Sequence, residues 1–269
     1  MITMKPSSCI LSLCSRLVRT KTRKSDHFKM QMTFSCLYME KHHFSYSMKS
    51  PKSTHHLIRE MTEVSRDHLS PEIGLHLVTP NCPLWHSRGD QCPLPDPFWA
   101  FYWPGGQALT RFILDNADLF CGRTVVDVGC GCGASSIACR MVGASHVIAN
   151  DIDTVAADAI SLNADLNRVS LTTVTTNLIG SHNNRWDIVL LGDMFYDMEF
   201  AETITKWVIS LHSHGVSVFI GDPGRLPLVQ HPLKADLKMV AEYPLPENCL
   251  KENNGLSSGF VWKYEQEVI

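Results

Sequence analysis

The stretch Thr124-Val125-Val126-Asp127-Val128-Gly129-Cys130-Gly131-Cys132-Gly133 decides the reading of the whole chain. Its first half is an apolar, β-branched run, the composition of a strand buried in a sheet. Its second half places a glycine at every other position, and the run from Ala134 to Val142 that follows reads as a helix. Glycine permits a sharp turn and a close backbone approach to a ligand. The helix behind it presents unpaired N–H groups at its first turn. In dinucleotide-binding folds that end receives a pyrophosphate. Here an acid, Asp127, closes the strand two residues before the first glycine. A carboxylate in that place repels phosphate and suits a cation.

A second acid is expected about 20 residues further on, where it would reach ribose hydroxyls. Asp151 stands there, directly after the apolar run at 146–150. Loop, preceding acid and downstream acid together fit S-adenosylmethionine, which carries a sulfonium and an α-amino group and no phosphate. Gly129, Gly131, Gly133, Asp127 and Asp151 are therefore the candidate cofactor contacts. Asn177, after the third strand, is a candidate adenine contact or a plain loop asparagine. The same residues leave two other readings open, a nicotinamide site and a glycine turn with two capping acids.

Outward from this point, strand and helix alternate. Strands are expected at 146–149, 171–175, 186–191, 216–220 and 259–263, and helices at 154–168, 199–211 and 234–240. Short connections between such elements predict an α/β class, a doubly wound, Rossmann-like sheet with helices on both faces. Upstream, a helix is expected over 106–119, preceded by an irregular segment at 80–105 rich in Pro, Trp and Gly. Ser70 followed by Pro71 predicts the capped start of a helix, and order is expected to begin near there.

The fourth strand runs into Gly192-Asp193-Met194-Phe195-Tyr196-Asp197. Ligands of open α/β sheets bind at the carboxyl ends of strands, so Asp193 and Tyr196 are expected beside Asp127 and Asp151. Methyl transfer needs an uncharged nucleophile held in line, with water excluded. An acid there can orient a lysine amine, and an aromatic ring can pack beside a cation. The alternatives are that Asp193 caps the next helix and that Tyr196 is core. Trp103, in Trp103-Pro104-Gly105-Gly106, covers the cofactor or forms a packing corner.

Taken together, Phe101-Tyr102-Trp103-Pro104-Gly105-Gly106-Gln107-Ala108-Leu109 and Asp193-Met194-Phe195-Tyr196 resemble the seven-strand, lysine-directed protein methyltransferase family. The resemblance spans roughly residues 65–264. It implies a seven-strand methyltransferase sheet and protein-lysine N-methylation with S-adenosylmethionine. It implies the electron transfer flavoprotein β subunit as the substrate protein, and the mitochondrial matrix as the place. It further implies that Trp103, Asp127, Gly129 and Asp151 contact the cofactor, and that Asp193 and Tyr196 line the lysine entrance.

Charge separates the chain into two parts. The net charge is -3, yet residues 1–59 carry 11 Lys and Arg against only Asp26 and Glu40. The remainder carries 13 basic and 25 acidic residues, a balance that does not hold nucleic acid by neutralising phosphates. Residues 1–35 are basic, rich in Ser and Thr, and poor in acids, the composition of a mitochondrial presequence, with a plain cytoplasmic tail as the alternative. The division expected is thus a tail at 1–60 and a methyltransferase domain at 65–269. No run of 18 apolar residues is present, so membrane insertion is not expected. The ten cysteines lack framework spacing, which points to a reducing compartment. Neither Cys130-x-Cys132 nor the pairs His42-His43 and His55-His56 has the partners a metal needs, so no metal is expected. Against lysine methylation stand two rival readings, methylation of a different protein, a small molecule or a nucleobase, and a binding module without turnover. The nucleobase reading lacks a basic groove and carries Met194-Phe195 where a Pro-Pro turn is usual.

Overall fold

The structure, a computed structural model, describes residues 53–86, 94, 96–247, 249 and 256–265. The basic stretch read as a presequence lies, up to residue 52, outside the described residues. The chain opens with α1 (Thr54–Met61), a small hairpin of β1 (Glu63–Ser65) and β2 (Leu75–Leu77), and α2 (Pro83–His86). Then come α3 (Pro104–Asp115), α4 (Ala117–Phe120), β3 (Thr124–Val128), α5 (Ala134–Met141), β4 (His146–Asn150), α6 (Thr154–Leu166) and β5 (Thr172–Val174). The second half holds β6 (Ile188–Gly192), α7 (Met198–Ser213), β7 (Ser217–Asp222), α8 (Leu226–Val229), β8 (Leu237–Pro244) and β9 (Ser258–Tyr264).

Seven strands form one sheet in the order β5-β4-β3-β6-β7-β9-β8. The five from β5 to β7 are parallel, and β9 runs antiparallel to both its neighbours. This is the doubly wound, Rossmann-like sheet that the alternation predicts. The strand order reverses between β3 and β6, which opens a crevice at their carboxyl ends.

The central strands are apolar throughout because both their faces are covered. Side chains alternate between faces along a strand. Val125, Leu190 and Phe219 accordingly pack on one side with Leu109, Phe112 and Ile113 of α3 and Ile137 of α5. Val126, Val189, Leu191, Val218 and Ile220 pack on the other with Ile204, Trp207, Val208 and Leu211 of α7. A third cluster joins Ile58, Leu84, Trp99, Ala156, Ala159 and Leu162. Among the described residues, no helix is long and apolar enough to cross a membrane.

Four local expectations are corrected. No helix starts at Ser70-Pro71. The Ser70 hydroxyl is instead 2.9 Å from the Tyr102 hydroxyl and 3.2 Å from Nδ1 of His68, and the chain makes one turn before β2. The stretch 234–240 is not a helix: a 3-10 turn over Pro232–Asp236 gives way to β8, whose pairing with β9 overrides local preference. Order does not wait for Ser70, since α1 is capped by Ser53 and buries Ile58, with Leu57 and Met61 packed beside it, in a helix of eight residues too short to declare a period in the sequence. The helix expected over 106–119 starts two residues earlier, on Pro104 at its first position, and breaks at Asn116 into α3 and α4.

Candidate functional site

The loop between β3 and α5 turns on three left-handed glycines, Gly129, Gly131 and Gly133, with φ of 65°, 52° and 79°. Asp151 braces it from the end of β4: its Oδ2 accepts the N–H of Gly131 at 2.9 Å while its Oδ1 accepts that of Asp153 at 3.0 Å. Burial raises the Asp151 carboxyl above the usual carboxylate range. Asp127 is buried under the same loop, and Ser136 on α5 donates to its Oδ2 at 2.7 Å. Burial pushes Asp127 up to about 6, a rise that the Ser136 bonds restrain. The loop cysteines are packed thiols. Cys132 joins the core, and burial pushes it up to about 12 and Cys130 well above its ordinary value. Among the described residues, no three His, Cys, Asp or Glu side chains gather as a metal site.

Opposite the loop stands the start of α3. Phe101, Tyr102, Trp103 and Gly106 line a cleft of about 360 Å³, open to solvent, with Asp127, Gly129, Gly131, Ser135, Gly192 and Asp193 on the facing side. Trp103 caps α3 and is pinned by its indole N–H, which donates to the carbonyl of Phe98 at 3.0 Å. Tyr102 is buried, and Gln107 donates to its carbonyl at 2.8 Å. Among the described residues neither Lys nor Arg lines the cleft itself, and Arg225 stands behind it against Asp193 and Trp103. With Asp193 tied to Arg225, Asp127 is the carboxylate of the lining left to face a ligand, and a buried acid there disfavours a pyrophosphate and suits a positively charged group, so the donor set fits S-adenosylmethionine.

Asp193 projects from the carboxyl end of β6 in a left-handed conformation, φ 55°. Its Oδ2 accepts the N–H of Gly106 at 2.9 Å, at the first turn of α3. Its Oδ1 accepts two N–H groups of Arg225, at 2.7 Å and 3.2 Å. Asp193 does not cap the next helix. Asp197 does so, accepting the N–H groups of Glu199 and Phe200. Tyr196 is not core: it is 42% exposed and stacks on Phe200 with ring centroids 5.1 Å apart.

The fold thus gathers Trp103, Asp127, Gly129, Gly131 and Asp193 around one cleft, with Asp151 holding the loop from behind. Gly133 serves the helix start, facing Ile160, and does not line the cleft. Asn177 is exposed and its side chain accepts the N–H of Ile179 at 3.0 Å, so it too stands outside the lining. The sequence gives no sign of Arg225 as the partner of Asp193, since 32 residues separate them. The turn Gly221-Asp222-Pro223-Gly224-Arg225 follows from the end of β7. Its role is to carry Arg225: Oδ1 of Asp222 accepts the N–H groups of Gly224 and Arg225, each at 2.7 Å. Ser136 and Met194, the latter buried against Gly129, were likewise unmarked.

An electron transfer flavoprotein beta subunit lysine methyltransferase of Danio rerio is 48% identical over 203 residues, which cover 75% of this chain and 79% of that protein. The chain belongs to the electron transfer flavoprotein β-subunit lysine methyltransferase family. The Homo sapiens member is 45% identical over 211 residues, covering 77% of this chain and 80% of its own length. A Caenorhabditis elegans homolog is 42% identical over 224 residues, covering 75% and 92%. The ribosomal protein L11 methyltransferase family also matches, over residues 108–214. That segment contains the glycine loop, both cofactor-side acids, Asp193 and Tyr196, and leaves out Trp103 and Arg225. As a methyltransferase of this family the chain uses S-adenosylmethionine, the cofactor that its acidic cleft fits.

Proposed function

We propose that this chain transfers methyl groups from S-adenosylmethionine to lysine side chains of the electron transfer flavoprotein β subunit. The name shared by its relatives supports the substrate. The observation that carries the chemistry is Asp193, which lines the cleft and is fixed there by Gly106 and Arg225; Tyr196 follows three residues later with its ring exposed.

Each residue has a task in that reading. Asp151 offers its carboxylate to ribose hydroxyls while it holds the loop, and Gly129, Gly131 and Gly133 let the backbone come close. Asp127 supplies negative charge toward the cationic groups of the cofactor. Trp103 covers the cleft from the α3 side. When bound, S-adenosylmethionine supplies a methyl group on a positively charged sulfur. Asp193 and Tyr196 orient the lysine: the carboxylate accepts an N–H, and the ring packs against the stem and the charge. Lysine's ordinary pKa near 10.4 means that it must shed a proton to react, and the dry wall of Phe101, Tyr102 and Trp103 favours the uncharged amine.

We place the protein in the mitochondrial matrix. The basic, acid-poor composition of residues 1–35 supports this, and a fluorescent protein fused behind residues 1–60 tests it by its import. No nucleic acid is expected as substrate, because residues 60–269 carry 25 acids against 13 bases. The activity is tested with radiolabelled cofactor and purified β subunit, followed by complete hydrolysis. Label should appear in methylated lysine; label in any other amino acid overturns the proposal.

A further inference from the structure

Arg225 sits on the turn after β7, and its guanidinium reaches Asp193, the carboxylate to which the proposed function gives the lysine. Two of its N–H groups bond Oδ1 of Asp193, and the guanidinium carbon lies 5.9 Å from the centre of the Trp103 ring. Asp222 fixes the turn through two backbone bonds. A carboxylate offers about four acceptor positions, of which Arg225 and Gly106 take three. One position is left for the substrate nitrogen, and its direction is set because both oxygens are already tied.

Charge gives the pair a second effect. A lone carboxylate beside a lysine ammonium favours the charged form and keeps the amine protonated, the wrong state for attack. A guanidinium is permanently charged and meets a carboxylate with fixed geometry. The Asp193–Arg225 pair therefore offers an oriented acceptor with no net charge.

We propose that Arg225 is a positioning residue of the transfer: it fixes Asp193 and balances its charge, so that the lysine is oriented and still gives up its proton. The proton leaves to solvent. The nitrogen lone pair then forms the N–C bond as the S–C bond breaks, leaving a methylated ammonium and a neutral thioether. This inference rests on the lysine activity proposed above. Other ionisable groups are near: Asp127, Tyr102, Cys130 and Cys132 line the same cleft, and Asp222 at the end of β7 feels the charge of Asp193. From α3 comes only the backbone N–H of Gly106.

The test is the pH profile of kcat/KM on the β subunit for the full-length wild type, Arg225→Met and Arg225→Lys, with cofactor affinity and Tm measured alongside. Met keeps the apolar stem and removes the charge. The same comparison in an Asp222→Asn background removes the titration of that group. The expected result is that Arg225→Met moves the rising limb up by about one pH unit, about tenfold in rate at neutral pH, with recovery at alkaline pH. Arg225→Lys keeps the limb near its wild-type position. A loss of equal size at every pH, an unmoved limb or a gain in rate overturns the inference while the lysine activity stands. A wild type that leaves lysine unmodified overturns both.

Discussion

The backbones of Gly105 and Gly221 touch. A Cβ on either would overlap the carbonyl oxygen of the other, and one on Gly105 would also stand 2.6 Å from Oδ2 of Asp193. The contact brings the first turn of α3 against the end of β7, which is what lets Gly106 reach Asp193. Gly105→Ala should therefore destabilise the fold by about 1–3 kcal/mol, through overpacking against backbone that cannot yield, and reduce methyl transfer. Gly106→Ala is the contrast: its Cβ would meet only the Tyr102 ring, at 3.8 Å, inside a helix. It should be neutral or stabilise by roughly 0.5–1 kcal/mol. Urea unfolding of both variants checks the opposite signs.

Cofactor affinity should fall in acid. Asp127 is held up at about 6 by burial, so it loses its charge below that point and with it the attraction for a cationic ligand. Calorimetric titration should show affinity level above pH 7 and weaker by about tenfold at pH 5. Ser136→Ala removes a bond to the ionised form and should move the midpoint upward.

Stability should respond to Asp222 in the direction set by its raised pKa. Burial and the charge of Asp193 push it up to about 7 from 3.8, so the folded state holds a proton that the unfolded chain has released. Stability is then lost as pH rises from about 4 to about 7, and the loss persists above. Asp222→Asn keeps an acceptor for the turn and removes that penalty. It should stabilise the protein at pH 8 by up to about 4 kcal/mol, and by less than half as much at pH 5. Equal gains at both pH values would contradict this.

In the proposed function Tyr196 acts through its ring. Burial keeps its hydroxyl above its ordinary pKa, and the exposed ring is stacked on Phe200. Tyr196→Phe should hold kcat/KM on the protein substrate within about threefold, and Tyr196→Ala should lower it about tenfold, the worth of a cation–π contact partly desolvated by the bound substrate.

Much of this was readable in the chain. The buried strands around Val125-Val126 and Leu190-Leu191 declare themselves because an apolar run bounded by turns has few other uses. The glycine loop with Asp127 and Asp151 is legible because all of its parts lie on consecutive elements. What stayed hidden depends on tertiary pairing. β8 forms because β9 lies beside it, and Ser70 turns away from a helix because Tyr102 is within reach. Arg225 joins Asp193 only once β6 and β7 are side by side, a relation that no local pattern encodes.

The most direct measurement incubates the full-length protein with S-adenosylmethionine and purified electron transfer flavoprotein β subunit, then maps the product by peptide mass spectrometry, with Asp151→Ala alongside. Methyl groups on lysines of the β subunit, strongly reduced in the variant that loses the Gly131 brace, are the expected result. A β subunit left unmodified by a wild type that binds its cofactor would contradict the proposed function.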